Sequence, residues 1–479
     1  MISAALGGFA VSLRGPLDQA RTAALLGLAL ALIQTGCGSG SSSTAPPPSP
    51  RPQGDTVSPS SNLAADWPEY HRNSARTGVG PALPALSAPT VAWKAPLDGD
   101  VYASPLIVAG HVLAATENNT VYALDVFSGA TVWKTHLGAP VDAASLPCGN
   151  IGPVTGITGT PAADPHAGRL YVVAFLSSHH HMLFTLSLAD GSVVSQQDVD
   201  PAGSIPSVQQ ERGALTLGSG YVYVPLGGLL GDCGQYHGYV VAVPLKGGAA
   251  LSYRVPSARE AGVWSSQGPT IGSDGSVYVV SGNGASRSAF DYSNSVIELS
   301  PDLQTVRSYF APSNWASLNA SDTDLGSVGA TVLSPLGVVV AIGKQGVAYL
   351  LKSGSLGGLG GQVASRPVCS GSWGGTAWSG STVFVPCADG LYALSVSSNS
   401  LDVAWHAAHP ILGSPIVAAG AVWAIEPDSG TLYALDPASG GVIYSTGLGS
   451  AHHFSTPAAT DGFVVVPAGT NVISVATGG

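Results

Sequence analysis

Nine residues could gather into a site: Tyr102, Glu211, Arg212, Trp264, Gln267, Asp324, Trp373, His452 and His453. Each stands within a few residues of a short small-residue opening that recurs along the chain, such as Ser104-Pro105, Gly213-Ala214, Gly268-Pro269 and Thr456-Pro457. If those openings converge, their aromatic faces and polar ends suit a planar or sugar-like ligand. Glu211 and Asp324 supply the carboxylates that proton abstraction or calcium binding needs, with Asp100 more peripheral. The plainer reading has Trp264 and Trp373 filling a wall and Glu211 neutralising Arg212.

Other chemistry is weaker. His179-His180-His181 follows Ser177-Ser178 between two strand-like runs and reads as an exposed hairpin loop. Consecutive strand residues face opposite ways, so a triplet makes a poor single metal site and supports only weak, adventitious binding. His452-His453 has no second ligand pair at metal spacing, so no residues are assigned to a metal. The glycines of 354–361 lack a following Lys-Ser/Thr and read as turns. No serine sits in GxSxG with a plausible triad.

The positioning elements are clearest in Val101–Lys134. Leu106–Val108, Val112–Ala115 and Thr120–Leu124 read as strands, and Val132-Trp133 begins a fourth. Between the last two, Asp125 can bond its own backbone and Gly129 accepts a positive φ. Four short strands make one propeller blade, which cannot bury both faces alone. Tyr433–Gly440 repeats Tyr122–Gly129, and looser copies open at Gly159, Arg212, Gln267, Val328, Gly375 and Ser455. The spacing of roughly 40–60 residues implies a propeller. We expect an all-β fold: eight four-stranded antiparallel blades over 63–479. Asn471–Ala476 is a third strand with no fourth after it, so Val91–Lys94 is expected to close the last blade and remove its exposed edge.

Composition agrees: charged residues are 9%, and 63 Gly and 35 Pro supply turn chemistry. A net charge of −11 argues against nucleic acid and anionic membrane surfaces as partners. Arg14 and Arg21 precede the apolar run Ala23–Ile33, too short to span a bilayer, which leads to Thr35-Gly36-Cys37. Residues 1–37 thus resemble a bacterial lipoprotein signal with Cys37 as the lipidated residue, although Gln34 departs from the usual aliphatic position. Residues 38–62 are rich in Ser and Pro and read as a disordered tether. Export allows disulfides, and Cys148, Cys233, Cys369 and Cys387 admit three pairings. Cys369–Cys387 within one blade and Cys148–Cys233 between neighbouring blades are favoured.

The pattern SP…G…VYALD…SG…W resembles the pyrroloquinoline-quinone (PQQ)-type repeat over residues 66–476, strongest in the first and seventh units. Trp67–Tyr70 with Arg76-Thr77-Gly78 resembles its lead-in. Trp264…Gly268-Pro269, Ser281-Gly-Asn-Gly284, Asp291-Tyr292, Asn294-Ser-Val296, Asp324-Leu-Gly326 and Gly343-Lys-Gln-Gly346 add to the likeness. The repeat occurs in quinoprotein dehydrogenases and in the propeller lipoprotein of outer-membrane β-barrel assembly. Resemblance to the enzymes implies PQQ and calcium in the central channel, an Asp base, and adjacent cysteines against the quinone. That cysteine pair is absent here, and no calcium set or catalytic Asp carries over. The expectation is therefore a monomeric, lipid-anchored, non-catalytic binding or scaffold protein of the bacterial cell envelope, with no assigned cofactor. Its partners would be protein, peptide or glycan. The alternative is a PQQ-dependent alcohol or sugar dehydrogenase with a divergent site.

Overall fold

A computed structural model describes residues 65–80, 86–149, 151–409 and 413–478. The signal-like segment, Cys37 and the tether lie outside the described residues. Eight blade sheets follow one another along the chain, six of them four-stranded and antiparallel as expected; the third and fourth have five strands, the fourth through a short parallel partner at Gly358–Leu359. The first comprises Leu106–Val108, His111–Ala115, Thr120–Asp125 and Thr131–His136. The eighth comprises Ala458–Thr460, Phe463–Ala468, Asn471–Ala476 and, from the other end of the chain, Thr90–Pro96. Thr90 pairs with Ala476 and Pro96 with Asn471, so the closing strand is the expected one.

The repeat motif has a packing reason. The outer-strand tryptophans Trp93, Trp133 and Trp405 each donate Nε1–H to a carbonyl in the next blade: Val126, Leu188 and Pro437. Each indole lies over the turn glycine of that next blade. A Cβ on Gly129, Gly191 or Gly440 would come within 2.4–2.6 Å of Trp93, Trp133 or Trp405. In the same turns Asp125 accepts from the Phe127 and Ser128 amides, and Asp436 from the Ala438 and Ser439 amides. The glycine turn before the outer strand of one blade is thus the seat for the Trp of the preceding one. The seventh blade has Tyr444 at this position, packed against Trp423. The eighth blade takes its outer strand from the N-terminal side, so it has no such turn to seat a tryptophan.

Between blades the core is a series of apolar slabs. Leu113, Val121 and Ala123 of the first blade, for example, pack in one buried cluster with Leu170, Val172 and Ala174 of the second. The inner strands leave an axial channel, and the lead-in segment closes one end of it. Arg76 is 1% exposed and donates to the carbonyls of Tyr70 (2.9 Å), Leu215 (2.8 Å) and Pro269 (3.2 Å), with Glu69 at 3.5 Å. Beside it the Tyr70 hydroxyl meets Ser266, Ser414 and Thr456, residues of three different blade leads. The channel is blind.

Both disulfides form as favoured, Cys148–Cys233 and Cys369–Cys387. The histidine triplet departs from the exposed-loop expectation. Only His179 belongs to the turn, because the strand His180–Ser187 begins one residue later. Strand alternation then turns His181 inward, where it stacks on Phe175 at 4.2 Å.

Candidate functional site

At the open end of the channel, two cavities of 270 and 220 Å³ adjoin and share Arg212, Leu230, Trp264 and Lys344 in their walls. The first also meets Asn283 and Asp324, and the second Tyr102, Trp373, His453 and Phe454. Lys344 Nζ lies 5.6 Å from the Trp264 ring centroid, and the Arg212 guanidinium 5.9 Å from that of Phe454. Two cations on two aromatic faces favour a flat, anionic guest.

Three of the glycine-containing motifs form one constellation. Lys344 pairs with the Asp324 carboxylate, whose Oδ1 accepts the Asn283 amide at 2.5 Å. Lys344 N–H also donates to the Asp324 carbonyl. A Cβ on Gly282 would lie 2.4 Å from Asp324 Oδ1 and 2.9 Å from Trp264 Nε1, so glycine is what lets this wall close up. Behind it, Asn319 Oδ1 accepts from Gly284 N and Asn294 Nδ2, while Asn294 Oδ1 accepts from Leu325 N. The loops bearing Asn283 and Asp324 are thereby fixed to each other.

Burial raises the Asp324 pKa, against the lowering effect of Lys344 and the Asn283 amide. Burial would lower the Lys344 pKa, but Asp324 outweighs it and the net shift is upward. Burial and then Arg212 lower that of His453. Tyr102 is pushed up to about 12, chiefly by burial and then by Glu117 and Asp100.

The structure gathers Tyr102, Arg212, Trp264, Asp324, Trp373 and His453 around these cavities. It places the other three differently. Gln267 is fully buried, and its amide ties Thr270, Ala330 and Thr376 together across blades. His452 stacks on Tyr102 and pairs with Asp100 at 3.0 Å. Glu211 does not neutralise Arg212: no ion pair joins them among the described residues, and its carboxylate binds the Gly159 amide instead. The charge facing Arg212 is that of Glu117, which holds the Gly156 amide at 2.6 Å. Lys344, Asn283, Phe454 and Glu117 were not picked out as site residues. The first two lie inside motifs that carry the resemblance to the PQQ-type repeat, whereas nothing local marks Glu117 or Phe454.

A quinone fits the residues present better than calcium does. The cations and the Trp264 face match a planar polycarboxylate. Calcium takes six to eight oxygens; the first cavity offers the side chains of Asp232, Asn283, Asp322 and Asp324, but Lys344 already pairs with both Asp322 and Asp324. Glu117 and Glu211 are committed to backbone amides of the second-blade lead. Among the described residues, no three His, Cys, Asp or Glu side chains converge in the channel.

Several solved structures share the fold. The quinohemoprotein alcohol dehydrogenase from Comamonas testosteroni is 15% identical, with a TM-score of 0.67 over 87% of this chain and 81% of that one. A europium-containing methanol dehydrogenase is 14% identical, with a TM-score of 0.65 over 86% and 98%. BamB from Moraxella catarrhalis is 12% identical, with a TM-score of 0.55 over 81% and 99%. No curated protein matches the chain. The family model described as outer membrane protein assembly factor BamB matches residues 77–330, more than half of the sequence. The chain belongs to that family of PQQ-like propellers.

Proposed function

We propose that the protein is an exported, lipid-anchored binding protein of the cell envelope whose blind channel takes a flat anionic small molecule of the pyrroloquinoline-quinone class. The observation that carries this reading is the placement of Lys344 and Arg212 around the Trp264 face at the open end of the channel. Trp264 would stack on the guest, Arg212 and Lys344 would hold its carboxylates, and Asp324 would keep Lys344 charged and oriented. When bound, such a group supplies two-electron redox capacity. The residues here bind and orient it, and the absence of a converging calcium set favours binding over dehydrogenation. Cys37, the tether and the even number of remaining cysteines support export and anchoring. Leu230, 53% exposed at the rim, offers an apolar contact for a protein, peptide or glycan partner.

The test is titration of the folded protein with pyrroloquinoline quinone, with and without Ca²⁺, followed by tryptophan fluorescence and by dye reduction with alcohols and sugars. One-to-one quenching with Kd of about 1–10 µM, lost in W264A and independent of Ca²⁺, is expected. No saturable binding at tens of micromolar overturns the small-molecule reading. Substrate-dependent dye reduction overturns the non-catalytic one.

A further inference from the structure

Away from the channel, the turn between the second and third strands of the second blade meets the end of that blade's outer strand. His180 Nδ1 lies 2.8 Å from Asp198 Oδ2 and 3.2 Å from Asp200 Oδ2, and the three ligand atoms all lie within 4.8 Å of one another. Neutral imidazole carries one ring N–H, which cannot donate well to two carboxylates at once. Two anionic oxygens converging on one imidazole nitrogen suit a cation placed between all three. Ligands on a tetrahedral zinc ion with bonds of about 2.0–2.1 Å sit roughly 3.3 Å apart, so a small opening of these contacts would admit the ion.

A second feature fixes one of the ligands. The Asp200 side chain is only 7% exposed, and its other oxygen accepts from His181 Nδ1 at 2.7 Å. The His181 ring is 1% exposed and lies parallel to Phe175 at an interplanar angle of 1°. Its Nε2 has no hydrogen-bond partner among the described residues, so the ring bonds through Nδ1, directed at Asp200. Imidazole buttressing a carboxylate in this way is typical of the layer behind a metal ligand. Asp198 Oδ1 meanwhile accepts the Asp200 amide at 2.8 Å, which sets the spacing of the two carboxylates. His180 and Asp198 are 50% and 47% exposed, leaving a path for the ion and room for water as a further ligand.

We infer that His180, Asp198 and Asp200 form a divalent transition-metal site of the zinc class, with His181 as the positioning residue for Asp200. One imidazole with two carboxylates favours zinc, cobalt or manganese over calcium. The site is independent of the channel and of any ligand bound there.

The experiment is calorimetric titration of the untagged, disulfide-intact protein with Zn²⁺, with Co²⁺ absorption as a spectroscopic readout. One equivalent should bind, with visible Co²⁺ bands of a four- or five-coordinate ion. H180A and D198N should each weaken binding tenfold or more, and H179A should leave it unchanged. Circular dichroism melts identify any variant that fails to fold. If H180A does, D198N decides, since it alters a half-exposed carboxylate only. Absence of Zn²⁺ binding, equal binding by wild type and D198N, or an equal loss in H179A, the mark of adventitious chelation by the triplet, overturns the proposal.

Discussion

From the turn between the strands Val338–Ala341 and Val347–Lys352, Lys344 Nζ joins two groups of other loops: it pairs with the buried carboxylate of Asp324 and lies 5.6 Å from the Trp264 ring. Asp324 is only 2% exposed, so the pair is structural as well as ligand-facing. Replacing Lys344 with Met leaves a buried carboxylate without its cation, a change that typically destabilises by about 3–5 kcal/mol at neutral pH. The double variant D324N/K344M should recover most of that loss. The single variant's deficit should fade on acidification, because protonating Asp324 removes the uncompensated charge. Urea unfolding at pH 5 and pH 8 checks each outcome.

Glu117 gives a pH dependence of known sign. Burial pushes its carboxyl up to about 7 from 4.5, against the lowering effects of the Gly156 amide and Thr158. Between those values the unfolded chain is ionised while the folded chain holds the proton, so this group's contribution to stability falls as pH rises from about 4.5 to 7 and levels off above. The shift corresponds to a penalty on the order of 3 kcal/mol at pH 8. E117Q keeps an acceptor for the Gly156 amide without the charge. Its urea midpoint should exceed wild type at pH 8, with the difference vanishing near pH 4. A gap that is constant with pH would rule out this assignment.

The turn glycines predict a contrast. Gly191 and Gly168 both have positive φ, 72° and 65°, so alanine strains the backbone at each. Only at Gly191 would the new Cβ meet a neighbour, 2.4 Å from Trp133, whereas Gly168 has open space. G168A should cost about 1 kcal/mol or slightly more, and G191A clearly more, because it also unseats the indole between blades. Comparison of their denaturation midpoints tests whether the Trp-on-turn contact is the inter-blade lock.

The fold was legible because it repeats: the Asp–Ser–Gly turn of the first blade returns in the seventh, looser openings recur between them, and each copy reinforces the reading. The closing strand followed from counting strands at the two ends. The site was legible in part. Tyr102, Arg212, Trp264 and Asp324 could be placed because each precedes an inner strand, a position that topology directs to the axis. Gln267 occupies the same sequence position, yet its amide spends all its bonding on Thr270, Ala330 and Thr376. Glu117 lies at the far end of a strand pair, and only the three-dimensional proximity of the next blade gives it a role. His181 was misread because a one-residue difference in where a strand starts decides which face a side chain takes.

The disulfides separate stability from site architecture. Cys369–Cys387 spans 18 residues and Cys148–Cys233 spans 85. Loop-closure entropy assigns them about 3 and 4.6 kcal/mol respectively. C148S/C233S should therefore lower the urea midpoint more than C369S/C387S does. The two variants should also differ in ligand binding. Gly231 lies against Cys148, and the adjoining Leu230 lines both cavities, so the longer bridge holds part of the channel mouth in place. Cys369–Cys387 has no residue in either cavity wall. Quinone titration should thus show weaker binding by C148S/C233S and unchanged binding by C369S/C387S, both measured where each variant is fully folded. Equal binding by all three proteins would mean that Leu230 keeps its position without the bridge, and would reduce Cys148–Cys233 to a stabilising crosslink between blades.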